Sequence, residues 1–225
     1  MTAGDIFCNI MRGSRIKEYF IGGEVFSIPV LWLCGTVVVL IGATVSFLPP
    51  RLDIDRVRLL ASGSRTVYWR RRSTAVVGYV IAQIAWQLLL CVLIAVALGG
   101  SADITRLSPD ALRFFSAEGA LAWGPGPLGV LLVFETAALT SLTLLTSMAA
   151  VVFGAPLSLT VALGYIVISV FIAAPALVPN LMMQHRLTEY VSAGMPAAEI
   201  ILGILPLVLG CALLMRRLRT IDFLT

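Results

Sequence analysis

An all-α, polytopic membrane bundle of about five transmembrane helices is the fold class this sequence predicts, and three observations predict it. Of 225 residues, 59% are apolar and only 12% charged, with mean hydropathy +0.99, whereas a soluble domain carries charge on roughly a quarter of its residues. The apolar residues form long unbroken runs, and a backbone in lipid must satisfy its own hydrogen bonds, which such runs do as helices. The positive charge, finally, is sorted along the chain rather than spread over a soluble face.

The chain reads as a single transmembrane domain, 1–225, with spans at about 25–48, 75–99, 128–153, 157–178 and 199–215. Pro50 stops the first span, since proline disfavours helix in the residue before it. A Gly154-Ala155-Pro156 break separates the third span from the fourth. Pro206 falls inside the fifth, where neighbouring helices re-satisfy the freed carbonyl. The segments 101–127 and 179–198 read as re-entrant or interfacial pieces. The first has Ser108-Pro109-Asp110-Ala111 as a helix start and a Trp123-Gly124-Pro125-Gly126-Pro127 hinge, and the second is punctuated by Gly194 and Pro196.

Charge sets the orientation. Arg51, Arg56, Arg58, Arg65, Arg70, Arg71 and Arg72 lie in the 49–74 loop, and Arg216, Arg217 and Arg219 in the C-terminal tail. Five crossings put both regions on one side, which the excess of positive charge makes cytoplasmic. The N-terminus then falls outside, a placement that its own Arg12, Arg15 and Lys17 oppose and that an in-plane amphipathic segment over residues 5–20 would ease. This stretch lacks the apolar core and small-residue cleavage pattern of a signal peptide.

Several chemistries are excluded. There is no GxxxxGK[ST] phosphate loop, and Lys17 is the sole lysine, so the chain holds no P-loop ATPase site. His185 is the sole histidine, and Cys8, Cys34, Cys91 and Cys211 are far apart, which leaves neither metal-ligand spacing nor the histidine economy of a hydrolytic triad. The basic balance is accounted for by the membrane, not by nucleic acid.

Why arginines crowd into residues 51–72 is the central question. From Leu52 to Arg72 the composition suits a helix broken only by Gly63. Val57, Leu60, Ser64 and Val67 or Tyr68 fall on one side, with Arg58, Arg65 and Arg72 on another. Such a segment can lie along the membrane surface, each arginine worth about 1 kcal/mol near an anionic leaflet, with Tyr68 and Trp69 at headgroup level. It reads either as a topological anchor or as a docking element for a cytoplasmic partner.

"LLASGSRTVYWRRRSTAVVGYV", residues 59–80, resembles the cytoplasmic loop of ABC-2-type transporter permeases. "FIGGEVFSIPVLW" at Phe20, "FGAPLS" at Phe153, the outer segment before Glu199 and the closing "RRLRTIDFL" are similar to stretches of that family in the same order. The resemblance implies a cytoplasmic coupling helix seated in a separate ABC ATPase subunit, carried by Gly63, Ser64, Arg65, Tyr68 and Trp69 with Arg56 and Arg58 beside them. It implies no enzyme activity and no cofactor in this chain, ATP and Mg being bound by the partner ATPase. It also implies a second permease as homo- or heterodimer, a bacterial inner (plasma) membrane location, a cytoplasmic C-terminus, and export of peptides, drugs, lipids or polysaccharides, with antimicrobial peptides or drugs a common cargo of small members. The family has six spans; here the usual first one is missing or reduced to the N-terminal segment. The rival reading is a non-transporting membrane scaffold or immunity protein that binds a cytoplasmic or membrane partner through the same loop.

Polar residues inside the spans complete the candidates. Thr136, Thr140, Thr143 and Ser147 follow one stripe, with Glu135 beside it, and Tyr79, Gln83 and Gln87 follow another. Such groups serve interhelical hydrogen bonds, bonds back to their own helix, or the wall of a translocation path. Glu135 is the costliest of them, since a carboxylate within a span needs a partner, a proton or water.

Overall fold

In the computed structural model, the described residues are 1–11, 29–47, 63–105, 107, 127–172, 174, 177–183, 186, 187, 190 and 197–220. Among them the secondary structure is helical: α1 (Ala3–Ile10), α2 (Val30–Phe47), α3 (Arg65–Ala97), α4 (Pro127–Phe153), α5 (Ala155–Phe171), a 3-10 helix (Val178–Met182) and α6 (Ala197–Thr220). Two helices, Thr66–Ala97 and Leu131–Phe153, are long and apolar enough to cross a membrane, and Val30–Val45 and Ala155–Phe171 are shorter apolar helices. All-α architecture with membrane-length helices is therefore what the fold displays.

The main departure from the sequence-based boundaries lies in α3, which starts at Arg65 rather than at residue 75 and runs 33 residues without a break. Its start is chemically marked. Gly63 takes φ of +69°, a conformation that costs glycine nothing, and the Ser64 side chain caps the helix by accepting from Val67 N at 3.2 Å. Residues 65–72, expected to lie along the surface with the rest of the arginine loop, are instead the first turns of a membrane-length helix. Shorter corrections apply elsewhere: α5 ends at Phe171 and hands over to the 3-10 helix, and α6 continues through Pro206 to Thr220.

α4 is the hub, packed against α2, α3, α5, α6 and the 3-10 helix. α2 runs antiparallel to α3. Gly42 lies directly under the Tyr79 hydroxyl, so that a Cβ there would force the tyrosine side chain to shift, and a Cβ on Gly35 would stand 3.6 Å from Gln87 Nε2. Two apolar clusters result. The larger joins α1, α2 from Trp32 to Leu40, the second half of α3, α4, α5, Val178, Leu181, Met182, Met183, Leu187 and Tyr190, and Ile204 and Leu207 of α6. The smaller, at the arginine end, joins Ala43, Tyr68, Trp69, Val76 and Met148 to Cys211, Leu214 and Met215 of α6.

The N-terminus sits at the far end of α3 from the arginines, about 50 Å away at 1.5 Å per residue. A Thr2–Asp5 capping box starts α1, whose apolar face (Ala3, Ile6, Phe7, Cys8) is buried. Ala3 N donates to Ser101 O at 3.0 Å and Ser101 N to Met1 O at 3.2 Å, tying the strap to the chain just beyond α3. Of the amphipathic segment expected over residues 5–20, the part up to Met11 is thus a buried helix, and the remainder lies outside the described residues. Burial pushes the Cys8 thiol up to about 12, with Asp5 and then Cys91 adding to the effect. Cys8 is therefore expected to resist maleimide at neutral pH, where a free thiol reacts through its thiolate, and to label once the chain is unfolded in detergent. Ready labelling of the folded protein would mean that α1 does not dock.

Candidate functional site: the arginine end and the polar seam

The exposed tip of α3 is made by Gly63, Ser64, Thr66 and Val67. One turn further in, Tyr68 (8% exposed) and Trp69 (2%) point into the bundle, their rings edge to face with centroids 4.9 Å apart. Arg72 covers them. Its guanidinium carbon lies 5.5 Å from the Tyr68 ring centroid and 5.9 Å from that of Trp69, and Nη1 donates to the Tyr68 hydroxyl at 2.5 Å. A cation over two aromatic faces holds the rings in place, while Arg70 and Arg71 remain exposed.

The seven residues assigned to partner binding are therefore sorted by depth. Gly63 and Ser64 form an exposed cap, and Tyr68 and Trp69 form an inner joint that ties α3 to α2, α4 and α6. Arg65 opens the helix, but its side chain lies outside the described residues, as do Arg56 and Arg58 altogether. The aromatic pair expected at headgroup level thus packs between helices.

Along α4 the hydroxyl stripe is largely self-satisfied. Thr136 donates to Leu132 O and Thr143 to Leu139 O, both at 2.6 Å, and Ser141 and Thr146 bond back in the same way at 2.8 Å. These bonds sit within one helix and place no donor on a neighbour. Thr140 is half-buried. Ser147, fully buried, has no partner for Oγ.

Glu135 is 2% exposed and its Oε2 has no hydrogen-bond partner among the described residues. Gln83 Nε2 lies 3.4 Å from the Tyr79 hydroxyl, while Gln87 Oε1 is buried without a partner among the described residues, as are Thr44 Oγ1 on α2 and Ser158 Oγ on α5. Each unsatisfied buried group costs about 1–3 kcal/mol, so four helices direct unmet polar capacity into the bundle. No cluster of three or more metal-ligating side chains occurs among the described residues.

Sequence reasoning passed over the best-satisfied polar site. Arg186, which falls between the predicted spans, is 2% exposed. Nη1 bonds Ser169 O and the Asn180 side-chain oxygen, and reaches Ile172 O at 3.1 Å, while Nη2 donates to Val170 O at 2.5 Å. Asn180 Nδ2 in turn donates to Ile172 O at 2.8 Å and Ala174 O at 2.9 Å, and Val178 N to the Tyr165 hydroxyl at 2.9 Å. The guanidinium thus caps the carbonyl end of α5, where the helix dipole favours a cation. The available signal was an asparagine set among the apolar residues of "VPNLMMQHR", with the arginine closing it.

Compared with protein-family models, curated proteins and solved structures, the chain matches none.

Proposed function

We propose that this chain is the permease subunit of an ATP-driven ABC-2-type exporter, working with a separate ATPase and a second permease subunit. α2 to α6 cross the membrane, the arginine end faces the cytoplasm with the C-terminus, and α1 straps the outer end. The observation that carries the reading is the continuity of α3. One unbroken 33-residue helix begins at a capped, exposed tip and ends on the N-terminal strap, so a displacement of the tip is transmitted along its length. Close to that tip, Tyr68 and Trp69 lock α3 to α2, α4 and α6. A motor that pushes Gly63–Val67 therefore moves the bundle rather than a loose loop, and the chain supplies lever and path while the partner hydrolyses ATP.

Co-purification tests this. The chain should bring down a P-loop ATPase from native membranes, and Arg65→Glu with Val67→Glu should release it while helicity is retained. Absence of any ATPase partner would move the assignment to a scaffold.

Glu135 is placed in this reading as a polar group of the translocation path. In a reconstituted permease–ATPase pair, Glu135→Gln keeps side-chain size and removes the charge. Export is expected to stop if the carboxylate is required, whereas unchanged export would reduce Glu135 to packing.

A further inference from the structure

The arginines that the docking role leaves unused come together at one end of the bundle. Arg70 and Arg71 directly follow Trp69 on α3, and Arg216 and Arg217 directly follow Met215 on α6. Trp69 and Met215 belong to one packed cluster, so the two basic pairs are anchored on the same apolar joint although some 145 positions separate them in sequence. All four side chains are exposed. Each pair also stands at a chemical boundary: on α3 the apolar run starts at Ala75, and on α6 it stops at Met215.

The surface beside these charges is apolar and open. Leu209 and Leu213 on α6 are 54% and 65% exposed, and Phe153 at the end of α4 is 62% exposed. On α3, Ala75, Gly78 and Ala82 are exposed as well, with open space around Gly78. A ligand that satisfies both features has an anionic head and a long apolar body. Arginine meets phosphate oxygens with a planar fork of donors. The first turn of α3 also holds no acidic residue, so no carboxylate of that turn offsets the positive end of its dipole.

We infer that Arg70, Arg71, Arg216 and Arg217 form a binding site for an anionic phospholipid, the phosphate head held between α3 and α6 and the acyl chains lying on the exposed apolar faces below. The site rests on the membrane-crossing part of the proposed function and not on transport or on the ATPase. By holding α3 to α6 from outside, the lipid reinforces the joint that Trp69 and Met215 make from within. A bilayer phospholipid is favoured over an acidic protein surface because the charges flank the apolar faces rather than the exposed tip.

The test uses the full purified chain, without an ATPase. It is reconstituted into bilayers of phosphatidylcholine with a minor share of phosphatidylglycerol, extracted gently, and its retained lipids are identified by native mass spectrometry. Selective retention of phosphatidylglycerol is expected. R70Q/R71Q/R216Q/R217Q should lose that selectivity by about fivefold or more, since one basic residue near an anionic surface is worth about that factor. R106Q/R113Q, between α3 and α4 in sequence, should keep it. The double variant R216Q/R217Q, confined to the end of the last helix, carries the test should the fourfold change impair folding. Equal retention of both lipids by the wild type would overturn the site. So would undiminished selectivity in the variants, or full displacement of the lipid by inorganic phosphate, which would indicate a site for the free anion. A chain that fails to insert into bilayers would instead remove the membrane-crossing reading itself, a result distinct from insertion without lipid selectivity.

Discussion

Arg186→Ala is expected to destabilise the chain by about 3–5 kcal/mol, in the range seen when one partner of a buried charged network is removed. The guanidinium bonds the carbonyls of Ser169, Val170 and Ile172 and the Asn180 side chain. α5 ends at Phe171, and the last carbonyls of a helix have no partner within it. Truncation leaves the Ser169 and Val170 carbonyls facing an apolar interior, where an unsatisfied group costs several kcal/mol in the absence of water. The damage should extend to the 3-10 helix, because Asn180 loses its neighbour, and from there to α4, against which that helix packs. Arg186→Lys keeps the charge at the negative end of the helix dipole but lacks the fork that reaches several carbonyls at once, so its stability should fall between the two. Unfolding in mixed detergent, followed by loss of helical circular dichroism, measures both. A midpoint unmoved by the alanine change would mean that water or another group already serves those carbonyls.

How legible this was in the sequence varied with the kind of signal. Long apolar runs located the helices, because a backbone shielded from water must satisfy its own hydrogen bonds, and turn chemistry at Gly154 and Pro156 separated α4 from α5 where expected. The apolar run starts at Ala75, but α3 starts at Arg65, just after the break that the composition predicts at Gly63. A helix, however, continues through polar sequence as long as its backbone bonds are made, and the true stop signal was the Gly63–Ser64 cap. Tyr68 and Trp69 were placed in the headgroup layer by composition alone; which face of a helix meets a neighbour depends on α2, α4 and α6, and no local pattern encodes that. Arg186 was overlooked for a similar reason, since a charge in a short connection normally faces solvent, and its four acceptors are brought to it by chain reversal after α5. The threonine stripe was legible as a stripe, but Thr136 and Thr143 resolve it as bonds within α4.

Trp69→Ala should separate motor binding from motion. The indole is 2% exposed and sits where α2, α3, α4 and α6 meet, in a small cluster whose other buried members are Ala43, Tyr68, Val76 and Met148. Deleting a buried tryptophan typically costs 3–5 kcal/mol, and here the loss falls at the joint rather than across the larger apolar cluster, which it does not join. Local opening of α3 over residues 65–76 should become easier by about the same amount, so amide exchange there accelerates by roughly a hundredfold or more while protection around Ile84 and Cys91 changes little. The exposed cap at Gly63 and Ser64 is untouched, so in the proposed permease–ATPase complex the ATPase is expected still to bind. With the joint slack, displacement of the tip is absorbed by bending at the start of α3, and export falls by about tenfold or more although ATP is still hydrolysed. Trp69→Phe refills much of the space and should restore most of both quantities. The contrast with Arg65→Glu and Val67→Glu is what gives the experiment its force, because that pair is expected to abolish binding and to leave the joint intact. If Trp69→Ala instead released the ATPase without loosening α3, the indole would belong to the docking surface and the lever would have to be sought in the loop before Gly63.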